Sequence, residues 1–335
     1  MSDQSKLGPW VRRFLLEHMV ADRNLSRNTQ KSYRDTLALL LPYAAGVVSK
    51  AIDHLTVEHL SVDVVREFLQ HIQETRSCCV ATRNQRLAAI HALARFVAEH
   101  SPEHVAWCGG VRSIPFKKSA RPHISYLDKP EIDALLLSAK GDSVQARRDY
   151  ALLLFLYNSG ARAGEAATLV IGNLELRSVA GSQQHVVKVL GKGSKTRHCP
   201  LWPATAQALA AITTDRGKDQ PVFLNRLNEP LTRHGIYMIV ERYAKKAAKT
   251  APSLAEKKMS PHRLRHTTAC HLLKAGVDIN TIRAWLGHVS LDTTNIYAEI
   301  DVEMKSRALA QCEITGGRPK PWREDASLIA FLKSL

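Results

Sequence analysis

The chain has 335 residues and a mass of 37.2 kDa, enough to bury two cores of ordinary size and well beyond the range that needs disulfide staples. Its 47 Lys and Arg against 31 Asp and Glu leave a net charge of +16 and a pI near 9.7, which predicts an anionic polymer as partner, nucleic acid first. The longest uncharged apolar stretches, Leu37–Val48 and Tyr150–Tyr157, are too short for a bilayer span, so no membrane partner is expected.

The positive balance is shared along the chain. Residues 1–123 carry 17 basic and 11 acidic side chains, so no single tail accounts for the excess. The cysteines Cys78, Cys79, Cys108, Cys199, Cys270 and Cys312 form no CxxC pair, and the opening residues do not read as a signal peptide; a reducing cytoplasm is expected.

Helical periodicity dominates the first hundred residues. Tyr33, Leu37, Leu40 and Leu41 follow one face, as do Leu87, Ile90, Ala94 and Val97, and four helices are predicted near 6–21, 27–44, 61–76 and 80–99. Arg27, Lys31 and Arg34, and Arg83 and Arg86 on the last helix, lie where they can follow a phosphate backbone or simply face solvent. Between Ser101 and Pro122 the periodicity fails and Pro102, Gly109-Gly110, Pro115 and the basic Lys117-Lys118 run accumulate, so 101–123 is expected to be an interdomain linker contributing Lys117 and Lys118 to DNA binding.

A second domain is expected over 124–312. Asp128-Lys-Pro-Glu131 reads as a helix start, and Ala146–Asn158 as a strongly apolar helix ending near Gly160. His185–Leu190 and Lys195–Cys199, flanking Gly191-Lys192-Gly193-Ser194, read as a short β-hairpin. Helices resume near Pro203, with others at 232–250, 261–274, 279–286 and 292–298, and an amphipathic piece at 324–334 inside a C-terminal extension, 313–335. The expected fold is mainly α with a small β-hairpin or sheet.

The chemistry concentrates in Ser260-Pro-His262-Arg-Leu-Arg265-His266. Ser260 is placed to cap a helix and Pro261 to occupy its first turn, and three-residue spacing sets His262 and Arg265 on one face near the helix N-terminus, where phosphate is already favoured. His262, His266 and Cys270 recur at metal-ligand intervals, but no fourth ligand follows, and no metal or other cofactor is expected. His271–His288, with Gly276 between two helical patterns, also resembles a helix-turn-helix.

Taken in order, Ala161-Arg162-Ala-Gly-Glu165, Gly191-Lys192-Gly193, His262-Arg-Leu-Arg265-His266, Leu286-Gly287-His288 and Tyr297 resemble the tyrosine recombinase, or phage integrase, family. Leu25–Tyr33 is similar to the N-terminal helices of Xer-like and transposon-borne members. The resemblance implies a four-helix, SAM-like core-binding domain at 1–100 and an α+β catalytic domain. It also implies that Arg162 and Arg265 bind the scissile phosphate, His262 assists proton transfer, His288 supports the phosphate, Tyr297 attacks, and Lys192 protonates the leaving 5′ oxygen. A metal-independent recombinase acting as a tetramer on double-stranded DNA with specific core sites, through a Holliday junction and with possible accessory proteins, is what the family implies; its role could be integration, transposition or replicon-dimer resolution.

Independent chemistry is consistent with those roles. A phenol with a pKa near 10 needs proton removal and placement to attack phosphorus, and two permanently charged guanidiniums can stabilise the phosphoryl oxygens without a metal. Taken singly, Arg162 could pair structurally with Glu165, Lys192 could be an exposed turn lysine, His288 a helix cap and Tyr297 a core aromatic. Two rival readings are a type IB topoisomerase-like relaxing enzyme and a DNA-binding regulator with an inert site. Departures from the family are Ala161 and Ala163-Gly164, where bulkier apolar residues usually flank the arginine.

Overall fold

The computed structural model describes residues 5–118, 125–176, 185–191 and 195–287. The chain divides into two compact units, Met1–Pro122 and His123–Leu335.

The first unit is helical. α1 (Leu7–Arg13) runs into a π-helical segment, Phe14–Asp22, and is followed by α2 (Arg27–Val47), α3 (Val62–Thr75) and α4 (Val80–His100). Ser26 and Ser61 set the starts of α2 and α3, each accepting a backbone N–H three residues on, from Thr29 and Val64. The predicted stripes form the core: Leu37 and Leu40 of α2 and Leu87, Ile90, Ala94 and Val97 of α4 are buried together with Val65, Phe68 and Leu69 of α3.

The stretch expected to be a linker departs from that reading in its first part. Pro102–His104 forms a 3-10 turn and α5 (Val105–Arg112) follows, with Cys108, Val111 and Ile114 buried in the first core. The apparent breakers have packing roles. Pro102 opens the turn, where a missing N–H costs nothing, and Gly110 lets α5 approach α3 so closely that a Cβ there would lie 2.9 Å from Val62 Cγ2. Trp107 Nε1 donates to the Leu60 carbonyl at 2.8 Å, adding a second tie.

The second unit begins with α6 (Lys129–Ala139), started by a reciprocal capping box: Asp128 accepts the Glu131 N–H and Glu131 accepts that of Asp128. α7 (Val144–Ser159) is buried on nearly every side over Ala151–Ser159, as its apolar run Ala151–Leu156 requires, and Gly160 ends it at φ +60°. After the short α8 (Ala163–Ala167) comes a three-stranded antiparallel sheet, in order β1 (Leu174–Glu175), β2 (His185–Leu190), β3 (Thr196–Leu201). The last two strands are the predicted hairpin; two-residue β1 is too short to show alternation. α9 (Pro203–Thr213), α10 (Arg233–Ala247), α11 (Pro261–Lys274) and α12 (Ile279–Leu286) complete the description. The helices expected at 292–298 and 324–334 lie outside the described residues. Among those described, no helix is long and apolar enough to cross a membrane.

Candidate active site

Arg162 stands where α7 hands over to α8. Its backbone N–H donates to Glu165 Oε2 at 2.9 Å and its Nη1 to Glu165 Oε1 at 2.8 Å, so one carboxylate fixes both the turn and the side chain. The Arg162 side chain remains 41% exposed. Ala161 beside it is buried, so the small flanking residue packs inward while the arginine points out.

On α11, Ser260 accepts the Arg263 N–H at 3.2 Å and Pro261 occupies the first turn, as the sequence predicts. Arg265, one turn in, is only 1% exposed. Its Nη1 donates to the Gly160 carbonyl at 2.7 Å and its Nη2 to the Leu286 carbonyl at 2.6 Å. A single guanidinium therefore ties α11 to the residue two before Arg162 and to the residue two before His288. Gly160 is required at this junction: its φ is positive, and a Cβ would meet Leu286 Cδ2 at 2.5 Å.

This frame sets the proton chemistry of two histidines. His262 keeps an exposed face, yet the protein packed around the rest of the ring, followed by the positive charges of Arg265 and Arg162, holds its pKa below the ordinary value. At neutral pH it is thus a proton acceptor. His266 stacks edge-on against it with ring centroids 4.3 Å apart. Burial, with His262, Arg265 and Arg263 adding to it, lowers the His266 pKa to about 4, which keeps it neutral beneath the site. Among the described residues, no three His, Cys, Asp or Glu side chains gather as metal ligands.

Glu165 has a second partner, which local spacing does not reveal. Arg197 of β3 donates from Nη2 to Glu165 Oε2 at 2.7 Å and from Nε to the Trp285 carbonyl at 2.9 Å. Burial opposes ionisation of Glu165, but the bonds and charge of Arg197 and the bonds from Arg162 more than offset it, and its pKa stays below the usual carboxylate value. The signal was available in the strand alternation. Arg197 pairs with Val189 and Cys199 with Val187, both valines fully buried, so a cation on that face needs a buried partner.

Lys192, His288 and Tyr297 lie outside the described residues. Their neighbours are described: the Gly191 N–H donates to the Lys195 carbonyl at 2.8 Å, and Gly287 ends α12 at φ +67°.

A model of the phage integrase family matches residues 125–304, and a model of the phage integrase N-terminal SAM-like domain matches 12–100. The chain belongs to the phage integrase family. Within it, the chain is 35% identical over 337 residues to the integrase/recombinase y4rC of Sinorhizobium fredii, covering 100% of both proteins. It is 30% identical to the tyrosine recombinase XerC of Pelobacter propionicus, covering 93% of this chain and 97% of that one. Two solved structures share the fold. The Tn1549 transposon integrase in complex with transposon right end DNA matches at TM-score 0.67 and 17% identity, over 90% of this chain and 98% of that one. The XerH site-specific recombinase bound to difH matches at TM-score 0.64 and 20% identity, over 87% and 81%.

In this integrase-family chain the cations named for DNA binding fall into two groups. Arg27, Lys31, Lys117 and Lys118 are exposed, as is Arg34, which bonds its neighbour Asp35. Lys31 and Arg86 line one cleft of about 310 Å³ between α2 and α4, which Gln85 bridges to Ser32 at 2.7 Å. Lys117 Nζ donates to Gln73 at 2.7 Å. Arg83 departs from the expectation of a solvent-facing cation. It is 5% exposed, and its Nη1 donates to the Pro115 carbonyl at 2.8 Å, pinning the segment after α5 to α4. Position on the helix decides this: Arg83 lies one turn before Leu87, on the buried stripe.

Proposed function

We propose that the protein is a site-specific DNA recombinase that breaks and rejoins double-stranded DNA through a 3′-phosphotyrosyl intermediate. The observation that carries this reading is the gathering of Arg162, His262 and Arg265 from segments about a hundred residues apart in sequence: Arg265 bonds the carbonyl of Gly160, two residues before Arg162, from the first turns of the helix that carries His262.

In the first step the Tyr297 oxygen attacks the scissile phosphorus while its proton passes to neutral His262. The bond from phosphorus to the 5′ oxygen breaks, and Lys192 delivers a proton to that oxygen. Arg162 and Arg265, with His288, stabilise the charge on the non-bridging oxygens in the transition state. The resulting 5′-hydroxyl later attacks a partner's phosphotyrosyl linkage, reversing the chemistry on a new strand. Two pairs of subunits, forming a tetramer on paired core sites, exchange strands sequentially through a Holliday junction. The exposed cations of the first unit supply sequence-independent affinity, and base contacts choose the site. The setting is the bacterial cytoplasm, on the nucleoid, with accessory proteins as further partners.

The test is Tyr297→Phe on a nicked duplex that traps the cleaved state. The variant binds DNA as the parent does and yields no covalent protein–DNA adduct; as much adduct as the parent gives would exclude Tyr297 as nucleophile.

A further inference from the structure

The Glu165–Arg197 pair lies where the start of α8, the residue after β2 and the residue after α12 come together. Glu165 holds Arg162 directly, through its backbone and its guanidinium. A Cβ on Gly191, the residue before Lys192, would lie 3.5 Å from Arg197 Nη1 and 3.6 Å from Glu165 Oε1. A Cβ on Gly287, the residue before His288, would lie 3.2 Å from Arg197 Cδ. Both members of the pair are nearly buried, at 9% and 7% exposure, so the bond is shielded from competing water.

We propose that Arg197 is a positioning residue: it fixes the Glu165 carboxylate, which in turn aims the Arg162 guanidinium at the scissile phosphate. This rests on the recombinase reading above. Two features of Arg197 suit it to the task. Its planar fork serves a carboxylate and a carbonyl at once, from Nη2 and Nε, which a lysine ammonium on a flexible stem cannot reproduce in the same geometry. Anchored on the Trp285 carbonyl, it also gives Glu165 a support independent of α8. Without it, Glu165 keeps its two bonds from Arg162 but loses its tie to β3.

A chain that acts through Arg162 predicts a defect tied to charge on the phosphate. The probe is a nicked duplex whose sequence is selected from a randomised library by the Tyr297→Phe protein, made with either a normal scissile phosphate or a methylphosphonate. The methylphosphonate lacks the negative charge that Arg162 neutralises. Arg197→Gln is expected to bind the duplex within about 3-fold of the parent and to cleave the phosphate about 100-fold more slowly, the scale of a misplaced catalytic contact. On the methylphosphonate the deficit shrinks to less than 10-fold, roughly, because there is less charge for a misaimed guanidinium to miss. Arg197→Lys falls between, and Glu165→Gln shows the same substrate dependence as Arg197→Gln.

Equal deficits on both substrates, unimpaired cleavage, or a parallel loss of melting temperature and binding in Arg197→Gln and Glu165→Gln overturn the proposal and leave the pair a purely stabilising role. Absence of adduct with the parent protein removes the recombinase reading itself, and this proposal with it.

Discussion

The two units use their cations in opposite ways. In the first, Arg27, Lys31, Lys117 and Lys118 stand at the surface, and Arg83 alone among the cations named for DNA binding is buried. In the second, Arg265 is buried and the Arg197 side chain nearly so, and their N–H groups go to carbonyls and a carboxylate. Surface cations are worth little to stability and much to association with a polyanion, because water and salt screen them until counterions are released. Buried ones have paid their desolvation on folding, so they are already oriented when a reacting group arrives. On the function proposed above, the difference separates holding DNA from acting on it.

The largest expected effect breaks the second unit. Arg265→Ala strips a partner from the Gly160 and Leu286 carbonyls at once. Unpaired buried groups of this kind cost about 3 kcal/mol or more together, read as a lower denaturation midpoint, and the variant forms no adduct. If its midpoint matched the parent's, the guanidinium would not be the tie between these segments.

A smaller effect concerns His266. Its folded pKa of about 4 lies below the ordinary 6.5, so between those pH values the unfolded chain holds the extra proton. Its contribution to stability is complete above pH 6.5 and is lost as pH falls toward 4. Partial exposure reduces the size to about 1–2 kcal/mol. His266→Gln therefore flattens the fall in stability over that window, measured by denaturant titrations at several pH values, whereas Glu165 and Glu131, also below their usual values, still contribute to acid loss.

The smallest effect sharpens the picture of the first unit. Arg27→Gln with Lys31→Gln weakens binding to all duplexes by a similar factor and lowers the slope of log affinity against log salt by about two, one for each phosphate contact. Unit melting temperature stays within a few degrees, as expected for exposed cations with no ion pair among the described residues. A change confined to one sequence would instead mark these residues as base readers.

How much of this was legible beforehand differs by the kind of signal. The helices around Leu37 and Leu87, the cap at Ser260 and the hairpin about Gly191 are local patterns, and the structure places them where periodicity and turn chemistry do. The segment 101–114 was misread because Pro102 and Gly110 look like breakers in one dimension, while in space they open a turn and admit Val62. Arg83 was read as a solvent-facing cation because helical phase near the start of a stripe is ambiguous until a neighbour, here the Pro115 carbonyl, claims one side. Arg197 was missed because its partners, Glu165 and Trp285, are 32 and 88 residues away.

By itself, then, the sequence determined the helical character, the hairpin and the family, since each is written in short-range spacing or in an ordered set of motifs. Only the tertiary structure decided which arginine is a surface contact and which is an internal strut. That choice depends on which carbonyls and carboxylates arrive from distant segments to compensate a desolvated charge, and no local pattern encodes their arrival.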